Sequence, residues 1–168
     1  MTGIAQITSA MIEYNAGDPR RIHHLLKVHA FARAIGELEG LDEPTQEILE
    51  VAALTHDIGI KLSEQKYGSA SGEHQQVEGP PEAEKLLRGL GVDEPVINRV
   101  CWLIARHHTY HDIRGLDFQI LVEADFLVNA YEDGMAQEAV QSVRERIFRT
   151  GTGKMFLDRM FPCAIPPR

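Results

Sequence analysis

The chain has 168 residues, 43% hydrophobic and 25% charged, which fits one ordinary globular domain and excludes a disordered or low-complexity protein. Its formal net charge of −8 argues against broad, backbone-driven binding of a nucleic-acid polymer, which needs a basic surface. No apolar run approaches the roughly 18 residues of a spanning helix, and the start lacks a basic segment before an apolar core. The expectation is a cytoplasmic protein without a membrane partner. Cys101 sits in an apolar helical pattern and Cys163 in a Pro-rich tail, so no structural disulfide is expected between them.

Helical punctuation dominates the chain. Ile4, Ile7, Met11 and Tyr14 repeat at helical spacing until Gly17. Asp18-Pro19 is a cap followed by proline at the first helical position, and it opens a long helix running to Gly40. Asp42-Glu43-Pro44 starts the next helix, which Gly59 ends just after His56-Asp57. From Tyr67 to Pro81 the composition of Gly, Ser and Gln predicts one long loop, and a short helix follows from about Glu82 to Leu90. Asp93-Glu94-Pro95 opens another helix that carries Ile97, Cys101, Ile104 and His108 on one stripe. Further helices are predicted at roughly Asp117 to Glu132, Gln137 to Arg149 and Lys154 to Met160. The reading is an all-α fold, a single-domain helical bundle over residues 1–168. Its motif-bearing core lies at about 19–132, with C-terminal helices at 136–160.

Four polar residues sit where apolar ones belong. His56-Asp57 falls at the end of an apolar helix, and placing two ionisable groups there costs several kcal/mol unless they are paired or bound. Asp125 lies on the inner stripe of an apolar helix with no Lys or Arg nearby in sequence, while Glu123 reads as solvated. His24 stands on an apolar stripe four residues before Val28. Each alone reads as a satisfied core polar group. Together, two imidazoles and two carboxylates point to a divalent metal, with Mn, Fe, Co, Ni and Zn all compatible.

His24-Leu25-Leu26-Lys27-Val28, then His56-Asp57-Ile58-Gly59-Ile60-Lys61, then Ala124-Asp125 resemble the HD-domain metal-dependent phosphohydrolases. The resemblance spans about Pro19 to Glu132 and implies a helical bundle in which His24, His56, Asp57 and Asp125 hold a first metal. It also implies that Asp57 can bridge to a second. Val77-Glu78-Gly79-Pro80-Pro81 stands where dinuclear branches commonly carry a His, so Glu78 is either a second-site ligand or a solvated loop residue. Arg106-His107-His108-Thr109 resembles the next His position, with His107, His108 or both as ligands. Ile60 stands where the mononuclear nucleotidase branch often has an acidic residue.

The function this implies is hydrolysis of a phosphate ester or anhydride of a small molecule, a nucleotide being one candidate, with one or two divalent ions per chain. Asp57 would hold the metal and steer the nucleophile. Lys61, Arg20 and Arg106 are the candidate contacts to substrate phosphate, and Lys61 or an uncoordinated His is the candidate for assisting the leaving oxygen. Bound cations would make the pocket positive whatever the overall charge. Two rival readings share the ligand set: a di-iron oxygenase and a non-catalytic module that senses phosphate or nucleotide.

Overall fold

The computed structural model describes residues 2–163. Among these residues every regular element is an α-helix, and one buried core joins them. In chain order the helices are α1 (Ile4–Tyr14), α2 (Pro19–Leu38), α3 (Glu43–Thr55), α4 (Gly59–Tyr67), α5 (Gly72–Gly89), α6 (Glu94–Ile104), α7 (Leu116–Glu132), α8 (Gln137–Arg146) and α9 (Gly151–Met160). Within the described residues, no helix is long and apolar enough to cross a membrane. Both cysteines are free.

The predicted starts of α2 and α3 hold because their caps form. The Asp18 carboxylate accepts from Arg21 N at 3.0 Å and the Asp42 carboxylate from Thr45 N at 2.9 Å, each satisfying an otherwise orphaned first-turn donor. At the centre is α7, with twelve of its seventeen residues buried. It packs on α2 and α3, and α3 also packs on α6, so these four helices share one interior. Helix α4 packs on α5, which lies against α6, and α9 closes over α7 and α2.

Four details differ from the sequence expectation. Gly59 does not end a helix but begins α4, which has almost no apolar stripe: only Gly59 and Ser63 are buried. The predicted loop from Tyr67 to Pro81 is mostly helix, since α5 starts at Gly72 behind a Ser71 cap and runs through Pro80 and Pro81. Gly79 eases the clash a proline imposes on the residue before it, because it has no Cβ. Gly59 lets α4 cross α5 at backbone distance, since a Cβ there would lie 2.7 Å from Gly79 N, while a Cβ on Gly79 would lie 2.6 Å from Ile104 Cγ2 of α6. Near the C-terminus, α8 ends at Arg146 rather than Arg149, and α9 starts at Gly151 rather than Lys154.

The fourth difference is Glu123, which is fully buried rather than solvated. Its carboxylate accepts from Gln119 Nε2 at 2.6 Å, Thr150 Oγ1 at 2.6 Å, Arg149 N at 3.1 Å and Thr150 N at 3.2 Å. Those donors replace water and tie α7 to the α8–α9 turn.

Candidate metal centre

The interior of α2, α3 and α7 opens at one end, where three imidazoles and two carboxylates meet. His24 sits in the second turn of α2. His56 caps the C-terminus of α3, with Asp57 next in the turn before α4. Asp125 lies mid-way along α7, and His107 follows the last turn of α6.

Each ring has one nitrogen fixed, which decides what the other offers. His56 Nδ1 donates to the Ala53 carbonyl at 2.8 Å, and His107 Nδ1 donates to the Ile104 carbonyl at 2.8 Å, the same contact to the residue three back at two helix ends. His24 Nδ1 donates to Glu132 Oε1 at 2.5 Å. A carbonyl or carboxylate only accepts, so Nδ1 carries the proton and Nε2 faces the interior in all three.

His24 Nε2 lies 3.1 Å from Asp57 Oδ2, 3.3 Å from Asp125 Oδ1 and 3.4 Å from His56 Nε2. His56 Nε2 is 3.3 Å from Asp57 Oδ2 and 3.4 Å from Asp125 Oδ1. Donors bound at about 2.1 Å in tetrahedral or octahedral geometry stand about 3.0–3.4 Å apart. His24, His56 and Asp57 form a group whose donor atoms all lie within 4.8 Å of one another, and Asp125 joins through the two ring nitrogens. Asp125 Oδ1 is a buried atom without a hydrogen-bond partner. The four residues therefore fit a divalent cation.

The charge balance agrees. Burial works against a charged His24, but the Asp125 and Asp57 carboxylates facing its ring outweigh it and hold its pKa at about 10. Burial likewise opposes charge on His56, and the fields of Asp57 and Asp125 overcome it and raise its pKa well above the usual range. Burial opposes the charged form of Asp57 and Asp125 as well, but facing imidazoles hold both carboxyls below their ordinary range. Two carboxylates here call for two protons or one divalent ion.

A second donor group adjoins the first. Asp57 turns its other oxygen, Oδ1, to His107 Nε2 at 3.4 Å, and Asp57, His107 and His108 make a set of their own. Burial, reinforced by His107, lowers the His108 pKa to about 4, which leaves a neutral imidazole.

The remaining expected residues are distributed differently. Glu78 is buried but not at the metal centre: Lys66 Nζ donates to it at 2.9 Å and Tyr67 Oη at 2.8 Å, which corrects the expectation of a ligand or a solvated side chain. Lys61 turns away, its Nζ donating to the Tyr14 carbonyl at 3.1 Å and lying 5.1 Å from the Tyr14 ring centroid. Arg106 stacks on Trp102 at 4.2 Å and belongs to a separate surface cleft with Thr109 and His111.

Arg20 does reach the site. It lines a cleft of about 340 Å³ at the metal centre, together with Arg21, His24, Asp57, Asn129, Glu132 and Asp133. Asn129, Glu132 and Asp133 were not singled out from the sequence. Their signal was the helical spacing from Asp125, at four, seven and eight residues, which puts them on its face of α7.

A model of the HD domain matches residues 21–149 of the chain. Among solved structures, a predicted HD superfamily hydrolase from an uncultured Thermotogales bacterium is similar, with a TM-score of 0.64 and 25% identity. That likeness covers 92% of this chain and 83% of the other. No curated protein matches.

Proposed function

The chain belongs to the HD-domain family, and from that premise we propose that it is a metal-dependent phosphohydrolase acting on a small phosphate ester or anhydride, such as a nucleotide or sugar phosphate. The observation that carries the reading is the convergence of His24, His56, Asp57 and Asp125 at spacings of 3.1–3.4 Å, with His24 and Asp57 also lining a cleft that holds Arg20. A divalent ion held by these residues supplies a Lewis acid for a phosphoryl oxygen and lowers the pKa of water.

The chain's own residues account for substrate placement. Arg20 is exposed at the cleft and has no hydrogen-bond partner among the described residues, so its guanidinium is free for bidentate contact with phosphate. Arg21 is already drawn to Asp18 and Glu64. Asn129 and Asp133 offer amide and carboxylate groups to substrate hydroxyls. Ile60 is the one apolar side chain among the cleft residues, which suits a compact polar substrate and not an acyl chain. Lys61 has no part in this reading, and nothing here supports Arg106.

The test is to strip the protein with chelator and reload it with Mn, Fe, Co, Ni or Zn. Phosphate release is then screened over nucleotides and sugar phosphates, in air and under anoxia. Metal-dependent release that is indifferent to oxygen is expected. A strict oxygen requirement would transfer the site to di-iron oxygenase chemistry. Saturable ligand binding without turnover in any metal form would make the protein a sensing module.

A further inference from the structure

The side chain that reaches the second donor group is Gln75, three residues before Glu78 on α5. We infer that Gln75 is a metal ligand, its amide oxygen joining His108, His107 and Asp57 Oδ1 in a second cation position that shares the Asp57 carboxylate with the first. This rests on the metal-centre reading above and extends it to a residue outside the expected ligand set.

His107 supplies the need for a cation. Its Nδ1 is committed to the Ile104 carbonyl, and its Nε2 is buried without a hydrogen-bond partner in a residue only 1% exposed. That nitrogen faces Asp57 Oδ1 at 3.4 Å. Two acceptors opposed in a buried site are unfavourable unless positive charge lies between them.

Gln75 supplies the missing donor, and chemistry fixes which end of its amide points inward. Its Nε2 donates to the Ala70 carbonyl at 2.7 Å, and a carbonyl can only accept, so Oε1 is the atom directed at His108. Oε1 lies 3.0 Å from His108 Nε2, the spacing of two neighbouring donors bound at about 2.1 Å. Gln75 is itself buried, 6% exposed.

The helix carrying this amide is held in register. Ser71 caps it, the Gly59–Gly79 crossing seats it against the turn that follows Asp57, and Glu78 ties it to Lys66 and Tyr67 of α4. Glu78 thus positions the helix that presents Gln75. An amide oxygen is a hard, neutral donor, so the second position suits Mn, Mg or Fe(II). It has one shared carboxylate where the first has two, so it binds more weakly.

The experiment titrates metal-free protein with Mn chloride alone and follows free Mn by electron paramagnetic resonance, in wild type, Gln75→Leu and Gln75→Glu. Wild type is expected to bind two Mn per chain, the second at least about tenfold weaker than the first. Gln75→Leu should keep the first and lose the second. Gln75→Glu, which adds a negative donor, should bind the second at least about tenfold more tightly than wild type. Circular dichroism of each variant checks that the helices are intact, and the glutamate variant provides a gain of binding that misfolding cannot mimic. Binding of one Mn in wild type even at millimolar metal would overturn the inference, as would an undiminished second site in Gln75→Leu. Gln75 would then simply accept a hydrogen bond from His108. No substrate enters these measurements, so they stand or fall separately from phosphate release.

Discussion

Glu132 Oε1 accepts the Nδ1 proton of His24 at 2.5 Å, across 108 positions of sequence. The carboxylate, itself 3.4 Å from Lys27 Nζ, fixes the tautomer and rotation that aim His24 Nε2 at Asp57 and Asp125. Partners of this kind orient metal-bound histidines and raise their basicity. Glu132→Ala should weaken the first metal by roughly 10–100-fold, and Glu132→Gln, which retains an acceptor oxygen, by less. Competition with a chelator of known affinity reads both, and equal affinity in wild type and Glu132→Ala would remove Glu132 from the site.

Metal uptake should release protons. In the metal-free protein the His24 pKa is held at about 10 against an ordinary 6.5. Because the folded value is the higher one, this pairing stabilises the metal-free fold fully below about pH 6.5 and is lost as pH rises through about 10. A divalent ion takes the place of that proton on Nε2. Calorimetric binding enthalpies at pH 7 should therefore vary with buffer ionisation enthalpy, corresponding to about one proton or more per ion. The melting temperature of the metal-free protein should fall between pH 7 and 10. Buffer-independent enthalpies would mean that His24 is already neutral.

Arg20 and Lys61 should behave differently once a substrate is found. Arg20 lines the cleft, whereas Lys61 is occupied at the Tyr14 carbonyl. Arg20→Ala is expected to raise KM by roughly tenfold, about 1.4 kcal/mol of binding. Lys61→Ala should leave kcat/KM within about twofold. The reverse ranking would place phosphate on the α4 side of the centre.

Glu123 should matter for stability and not for chemistry. Replacing it with alanine strands the buried donors of Gln119, Arg149 and Thr150 that converge on its carboxylate. A loss of about 3 kcal/mol or more is expected from the unpaired groups, which at this chain length is a drop in Tm of about 6–12 °C. Glu123→Gln should lose less. Metal stoichiometry should hold in both, and a melting curve that does not move would show that water or another group satisfies those donors.

The anomalies that revealed the first metal site are local. His56-Asp57 ends an apolar helix and Asp125 interrupts an apolar stripe, so helical periodicity alone marks them as ionisable groups forced inward. His24 follows from the same rule on α2. The all-helical reading succeeded for the same reason: caps and apolar spacing are properties of a dozen neighbouring residues, and α2 and α3 carry both while α1, α6 and α7 carry the spacing. The α4–α5 region has a Ser71 cap but only a weak apolar stripe. Its Gly, Ser, Gln and Pro content reads as loop, and its helices persist because they pack on each other and α5 packs on α6. Whether Gln75 or Glu78 turns to the metal centre is fixed by the crossing of α4 and α5 at Gly59 and Gly79, a backbone contact between residues twenty apart. The fates of Glu123 and Glu132 were hidden in the same way. Burial of a carboxylate is decided by the donors that meet it, and theirs arrive from Thr150 and His24, far away along the chain and adjacent only after folding.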